Sequence, residues 1–286
     1  MTLTNALSID VEDYFQVSAF EKTIDRNHWD SLEHRIEKNL NQTLELFSAH
    51  NAKATFFTLG WIAERYPHLV KSIVDEGHEL ASHGYGHQRV SDLSPDQFKQ
   101  DVISAKAILE DISGQSIKGY RAPSYSIGKS NLWALEVLAE TGHEYSSSIY
   151  PIKHDHYGFP EAPRFCFRDQ KTGLVEIPIT TVNVMNKLRP AGGGGFFRFY
   201  PYPLTRWVIN RVNQEGQSTV FYLHPWELDP DQPRQAGISA KTRFRHYLNL
   251  SKTETRLTRL LNDFSWNTMS QVFIQDKVIP SYQLLQ

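Results

Sequence analysis

The chain has 286 residues, 40% hydrophobic and 12% aromatic, which is enough to bury a full core as one barrel-sized domain and excludes a disordered, collagen-like or small disulfide-stapled chain. Thirty basic against 32 acidic residues leave a formal net charge of -2, a field too weak to suggest a nucleic-acid partner. The single cysteine, Cys166, cannot form an internal bridge, no apolar run reaches the length of a membrane span, and Met1-Thr2-Leu3-Thr4-Asn5 lacks the pattern of an export signal, so a cytoplasmic, soluble protein is expected.

In chain order, Ala6-Leu7-Ser8-Ile9 reads as a short apolar strand, and Ile36, Leu40, Leu44 and Phe47 recur at helical spacing. A strand at Ala54 to Leu59, a helix through Leu69, Val70, Ile73 and Val74 that ends at Gly77, and a strand at Glu79-Leu80-Ala81 follow. Ser94-Pro95-Asp96-Gln97 has an N-cap serine, a proline at the first helical position and a glutamine placed for a capping box. The helix it starts carries Phe98, Val102, Ala105 and Leu109. Beyond it come a strand at Ile117 to Tyr120, a helix capped by Ser130, a strand at Glu144 to Ser147 and another segment at Val175-Glu176-Ile177. A helix near Leu204 to Val212, a strand at Thr219 to Leu223 and a late helix through Leu257, Leu260 and Leu261 complete the series. This alternation predicts an α/β protein with a mostly parallel sheet closed, or nearly closed, as a (β/α) barrel. Pro151 to Arg168 and Gly192-Gly193-Gly194-Gly195 read as long irregular loops, and the glycine run lacks the Lys-Ser/Thr or helix start of a phosphate loop, so a flexible lid or tight turn is expected there.

Polar groups collect at the C-terminal ends of these strands: Asp10 and Glu12, His83, Arg121 and His224. In a parallel barrel those ends share the face on which active sites are assembled. His83-Gly84-Tyr85-Gly86-His87 holds two imidazoles four residues apart, a spacing that allows both to reach one ion. By itself such a pair is more often solvated or hydrogen-bonded. The period of two in a strand sends Asp10 and Glu12 to the same side, so that one carboxylate can ligate a divalent metal while the other takes a proton from attacking water. Arg121, in Arg121-Ala122-Pro123-Ser124-Tyr125, is placed to brace Asp10, with a surface salt bridge as the ordinary alternative. His224 ends a very apolar strand just before Pro225, which suits an acid-base role better than a core histidine, and the indole of Trp226 is expected as a sugar-stacking wall.

The order Asp-x-Glu, His-x-x-x-His, Arg-x-Pro, Leu-His resembles the polysaccharide deacetylase family, the NodB-homology carbohydrate esterases, over Ile9 to Glu227. Ser8 to Tyr14, Ala81 to Tyr85, Tyr120 to Tyr125, Ser147 to Pro151 and Tyr222 to Glu227 look like the branch found in exopolysaccharide loci of the PEP-CTERM/exosortase type. The resemblance implies a distorted barrel over residues 1–286 with an extension from about 230, a divalent metal, usually zinc, and removal of acetyl groups from an N-acetylated glycan. It implies Asp10 as base, His83 and His87 as metal ligands, Arg121 as the brace of the base and His224 as general acid, with the metal and a backbone amide near Tyr125 holding the oxyanion. Glu12 is taken as the carboxylate ligand on strand geometry, with Asp13 the alternative. Ser146 stands where similar sequences often carry an aspartate, which removes a charged partner for Arg121 or His224 from that loop. A related amidase of allantoinase type, or a non-catalytic sugar-binding module using Trp226, Tyr125 and Phe196, are the competing readings. Oligomeric state is not legible.

Overall fold

The computed structural model describes residues 3–153 and 158–285, so that residues 154–157 of the irregular stretch from Pro151 to Arg168 lie outside it. β1 (Thr4–Val11) is buried from Asn5 onward on both faces, as a parallel strand covered on both sides must be. α1 (Ile36–Ala49) turns Leu40, Leu44 and Phe47 into the core beneath it. β2 (Thr55–Thr58), α2 (Gly60–Arg65), α3 (Pro67–Asp75) and β3 (Glu79–Ser82) continue the alternation. α4 (Pro95–Ser113) begins with the expected box, in which Ser94 Oγ accepts from Gln97 N (3.3 Å) and Gln97 Oε1 accepts from Ser94 N (2.9 Å). β4 (Gly119–Tyr120), α5 (Trp133–Glu140) and β5 (Tyr145–Ser146) follow. Ser130 makes no cap: a 3-10 turn over Lys129–Asn131 precedes the helix, closed by Asn131 Oδ1 on Gly128 N (2.7 Å).

The second half is less regular than its periodicity suggests. β6 (Phe167–Asp169) and β7 (Val175–Glu176) pair antiparallel, and β8 (Thr181–Val184) and β9 (Lys187–Pro190) form a separate hairpin. α6 (Gly194–Phe199), α7 (Tyr202–Gln214) and β10 (Val220–Leu223) return the chain to the sheet, and α8 (Ala240–Tyr247), α9 (Thr253–Asp263), β11 (Ser265–Asn267) and β12 (Ser281–Tyr282) close it. The strand order is β10-β1-β2-β3-β4-β5-β7-β6-β12, with β11 also parallel to β1. Beyond β10 the ladder gives way to single backbone bonds, Tyr222 N to Gly192 O (2.7 Å), Ala191 N to Thr180 O (3.1 Å) and Ile179 N to Ile149 O (3.1 Å), which return to the segment after β5. This α/β sheet is therefore a barrel distorted along that seam. The chain after residue 230 is built into the fold, because Leu257, Leu260, Leu261 and Trp266 pack in the same core as Leu7 and Phe47. Among the described residues no helix is long and apolar enough to cross a membrane.

The glycine run serves close approach and is no lid. Gly193 (φ 117°) and Gly194 (φ 54°) have left-handed backbone, and a Cβ on either would collide with Tyr222, so only glycine lets α6 start against β10.

Two helix-to-strand junctions, Gly77-His78-Glu79 and Gly142-His143-Glu144, bury an imidazole in the same way. His78 N bonds Ile73 O (3.1 Å), His143 N bonds Leu138 O (3.0 Å), and His78 Nδ1 accepts from Ala54 N (3.2 Å), a role only the neutral ring can play. Burial pushes both imidazoles down to about 4, helped by Lys53 at His78 and Lys106 at His143. The folded state thus binds fewer protons than the unfolded chain below the ordinary histidine range, and stability falls as pH drops from about 6.5 toward 4, by up to about 1.4 kcal/mol per pH unit for each ring. Urea unfolding at pH 7.5 and 5 measures this, and His143→Gln is expected to flatten the dependence.

Candidate functional site

The strand ends bring Asp10, Glu12, His83, His87, Arg121 and His224 to one end of the barrel, and all but Arg121, which is wholly buried behind them, line one cleft of about 500 Å³. Asp10 on β1 and Glu12, one residue past its end, both line the cleft, as the period of two predicts. Arg121 follows β4, and its N–H groups fan out to Asp10 Oδ1 (2.6 Å), Ser8 Oγ (2.9 Å), Ser147 O (3.2 Å) and Ser147 Oγ (3.1 Å). The guanidinium also lies over the ring of Phe57, 4.0 Å from its centroid. It is a buried clamp on Asp10, not a surface salt bridge.

Glu12, His83 and His87 offer ligand atoms that lie within 4.8 Å of one another. His83 Nδ1 sits 2.8 Å from the Arg121 carbonyl, to which its N–H donates, so its Nε2 lone pair faces the other two residues. His87 occupies left-handed backbone (φ 51°), and its loop is held by Arg26, which donates to Gly86 O (2.9 Å) and His87 O (3.1 Å). Glu12 Oε2 lies 2.8 Å from His87 Nε2 yet is buried without a well-directed hydrogen bond. Two ligand-type atoms aimed at a common point, rather than at each other, fit a divalent cation. Burial raises the Glu12 carboxyl, but His87, His224 and His83 outweigh it and hold the group at about 2, while burial pushes His83 down to about 4. A carboxylate and an unprotonated imidazole are the forms a cation requires.

Asp13 is turned away from this cluster. Its carboxylate accepts from Tyr14 N (2.8 Å), Arg35 N (2.7 Å) and Ile36 N (3.0 Å), so it caps α1 and leaves Glu12 as the carboxylate of the cluster.

His224 Nε2 points between the two acids, 3.3 Å from Glu12 Oε1 and 3.8 Å from Asp10 Oδ2. On its other side Nδ1 meets Glu227 Oε1 at 2.7 Å, and Glu227 Oε2 is bound by Arg198 Nε at 2.5 Å. Burial works against the charged imidazole, but Glu12, Glu227 and Asp10 raise it to about 9. Arg198, itself buried, also donates to the carbonyls of His246 (2.6 Å) and Leu248 (3.1 Å). The charged partner missing at Ser146 is thus replaced from the histidine's own loop. Ser146 Oγ instead bonds Ser148 Oγ (2.8 Å), and Glu176 Oε1 accepts from Ser148 N and Ile149 N (2.8 Å each), which shapes the loop that presents Ser147 to Arg121.

One expectation needs correction. Trp226 is buried with its indole stacked between His224 (centroids 5.2 Å, 23°) and His246 (4.4 Å, 13°), and its Nε1 donates to Glu12 Oε1 at 3.4 Å. Both ring faces are taken, so it orients Glu12 and His224 and offers no stacking wall for a sugar. Tyr125 lines the cleft, and its backbone N–H donates to Ala122 O (3.0 Å). Ser124 and Tyr125 both have positive φ (55° and 51°), a strained pair at the cleft wall. Phe196 lies away from the cleft, on a small cavity bounded by Ala191, Tyr200 and Val208.

Residues 23–146 match the family model described as Polysaccharide deacetylase, and residues 147–274 match a domain of unknown function, DUF3473. A peptidoglycan-N-acetylglucosamine deacetylase of Bacillus cereus is 37% identical over 94 residues, 32% of this chain and 34% of that protein. A peptidoglycan deacetylase of Helicobacter pylori is 30% identical over 113 residues (40% and 38%), and a chitooligosaccharide deacetylase of a Bradyrhizobium strain 29% over 96 residues (34% and 42%). The chain thus spans between about a third and two fifths of the length of these relatives. Among solved structures, one described as a polysaccharide deacetylase from Mycobacterium smegmatis superposes with a TM-score of 0.67 at 20% identity, covering 100% of this chain and 94% of that one. A CE4 family pseudoenzyme from Bacillus anthracis gives 0.50 at 15% identity (97% and 67%). The fold is shared with these structures, and the polysaccharide deacetylase model matches the first part of the chain, residues 23–146. Of the clustered residues, His83, His87 and Arg121 lie inside the deacetylase match, Asp10 and Glu12 precede it, and His224, Glu227 and Arg198 fall in the segment of unknown function.

Proposed function

We propose that this chain is a polysaccharide deacetylase that hydrolyses the acetamide of N-acetylhexosamine units in a bacterial glycan, releasing acetate and leaving a free amine. The finer reading is an exopolysaccharide or its precursor as substrate and zinc as the metal. The observation that carries the proposal is the meeting, in one cleft, of a Glu12, His83, His87 cluster with an arginine-braced aspartate and a glutamate-braced histidine.

Glu12, His83 and His87 would hold a divalent cation, which when bound supplies Lewis-acid polarisation of the acetyl carbonyl. Asp10 accepts the proton of the attacking water: Arg121 occupies Oδ1 at 2.6 Å and leaves Oδ2 for that task. His224 Nε2 delivers a proton to the amide nitrogen as the C–N bond breaks, and Glu227, accepting from Nδ1–H, stabilises the imidazolium that carries this proton. Trp226, packed flat on His224, limits rotation of the ring. Asp10 Oδ2 and His224 Nε2 lie 3.8 Å apart beside the cluster, so both groups reach the same substrate amide.

Purified protein incubated with N-acetylglucosamine oligomers is expected to release acetate, to contain a single divalent ion per chain, and to lose both ion and activity in the His83→Ala/His87→Ala double variant. Hydrolysis of small ureide or cyclic amides without acetate release from any N-acetylated saccharide would assign the site to another C–N bond. Equal metal content in wild type and double variant would remove the cation from the cluster.

A further inference from the structure

From Ile177 to Gln214 the chain holds no aspartate or glutamate but five cations, Lys187, Arg189, Arg198, Arg206 and Arg211, in a protein whose net charge is -2. Arg198 is committed to Glu227 and Arg206 to Asp263, and the other three make no ion pair among the described residues. The same segment exposes large apolar side chains that a monomer would normally cover: Met185 is 93% exposed at the tip of the β8-β9 hairpin, Phe199 58% at the end of α6, and Trp207 47% with Leu204 39% on α7.

These groups sit on three elements packed side by side. Val182 and Val184 of the hairpin pack with Ala191 and Val208, which seats α7 on the hairpin, and Leu204 and Trp207 adjoin Val208 on that helix. Tyr200, the neighbour of Phe199, lines a small cavity with Ala191 and Val208, which puts the end of α6 beside the hairpin, where Arg189 pairs with Val182. The face also abuts the cleft, since Gly195 and Arg198 of the same short helix line it.

We propose that this face is a membrane-docking surface, in which Met185, Phe199 and Trp207 enter the interfacial region of an anionic lipid bilayer and Lys187, Arg189 and Arg211 meet its headgroups. Charge and apolarity select this partner together. A soluble polyanion would use the cations and leave a nearly fully exposed methionine in water, whereas a second copy of this chain would bring cation against cation. Docking in this way sets the cleft one short helix away from the bilayer, within reach of a glycan held at its surface.

Co-sedimentation with phosphatidylcholine vesicles, with and without phosphatidylglycerol, tests the proposal, and acetate release plays no part in it, so its failure leaves the deacetylase reading untouched. The wild type is expected to bind only the vesicles containing phosphatidylglycerol and to be released by salt. Each basic side chain near an anionic surface contributes about fivefold, so Lys187→Gln with Arg189→Gln should weaken binding about 25-fold. Met185→Ser with Trp207→Ser should weaken it about tenfold, with the far-UV circular dichroism spectrum of the folded protein kept. No sedimentation with phosphatidylglycerol, equal binding by wild type and both double variants, or vesicle-free sedimentation abolished by Met185→Ser/Trp207→Ser, which would mean self-association, would each overturn it.

Discussion

Asp10→Asn is expected to lower kcat for acetate release by about 10²–10⁴-fold while metal content and KM stay at wild-type values. The amide keeps the shape of the carboxylate and still offers an oxygen to Arg121, 2.6 Å from Oδ1 in the native side chain, but it cannot accept a proton from water. Glu12→Gln, two residues further along the chain, should fail differently. Its Oε2 points with His87 Nε2 at a common site, so weakening this oxygen should release the cation and abolish activity through loss of metal. Metal analysis and steady-state kinetics on the two variants separate the roles. Loss of metal in Asp10→Asn, or full metal with intact kcat in Glu12→Gln, would exchange the assignments. A carboxylate that is wholly buried beside a cationic guanidinium carries a second risk, because Asp10→Asn leaves Arg121 without its counter-charge, and such losses cost about 3–5 kcal/mol when a partner of a buried pair is removed. Kinetics are therefore compared below the unfolding range of the variant.

The convergence of Asp10, Glu12, His83, Arg121 and His224 was legible because strand ends of a parallel sheet share a face and each residue follows a recognisable apolar strand. Long helices with caps were equally legible, α4 above all, since the Ser94 and Gln97 pair is a local device that depends on nothing distant. Strands of two or three residues such as β4, β7 and β11 carry too few side chains to show a period, and the β8-β9 hairpin has polar or half-exposed residues on most of its positions. Trp226 misled for a physical reason: adjacency to His224 suggested a wall, but the Pro225 turn swings the indole under the imidazole and against His246, a residue 20 positions further on. Glu227 was within reach, at i+3 from a histidine on a turn begun by proline, the same spacing that places a capping carboxylate on a helix. Arg198 had no local signal, because its partner is 29 residues away and its helix is six residues long.

Glu227→Gln is expected to lower kcat about 10²-fold with KM and metal unchanged, and to do so only where the leaving group needs a proton. Glu227 is fully buried and touches neither the metal cluster nor the open cleft; its Oε1 accepts from both His224 Nδ1 (2.7 Å) and His224 N (3.2 Å), so that it fixes the ring and places its negative charge behind it. An amide in its place keeps one acceptor and removes the charge, which leaves the imidazole oriented but a poorer holder of the proton that Nε2 must deliver. The defect should match that of His224→Gln on an acetamide and shrink in both variants on 4-nitrophenyl acetate, whose phenolate leaves unprotonated, whereas the Asp10→Asn defect should persist on both substrates. Arg198 enters through Glu227, since its Nε at 2.5 Å and its carbonyl contacts to His246 and Leu248 set the carboxylate against the histidine. Arg198→Lys, which keeps the charge and loses the forked geometry, should therefore reproduce part of the Glu227→Gln loss with the same leaving-group dependence. A purely structural role would instead lower thermal stability and leave the ratio of amide to ester activity at the wild-type value, and that result would reduce Glu227 and Arg198 to packing and leave His224 to act as the acid alone.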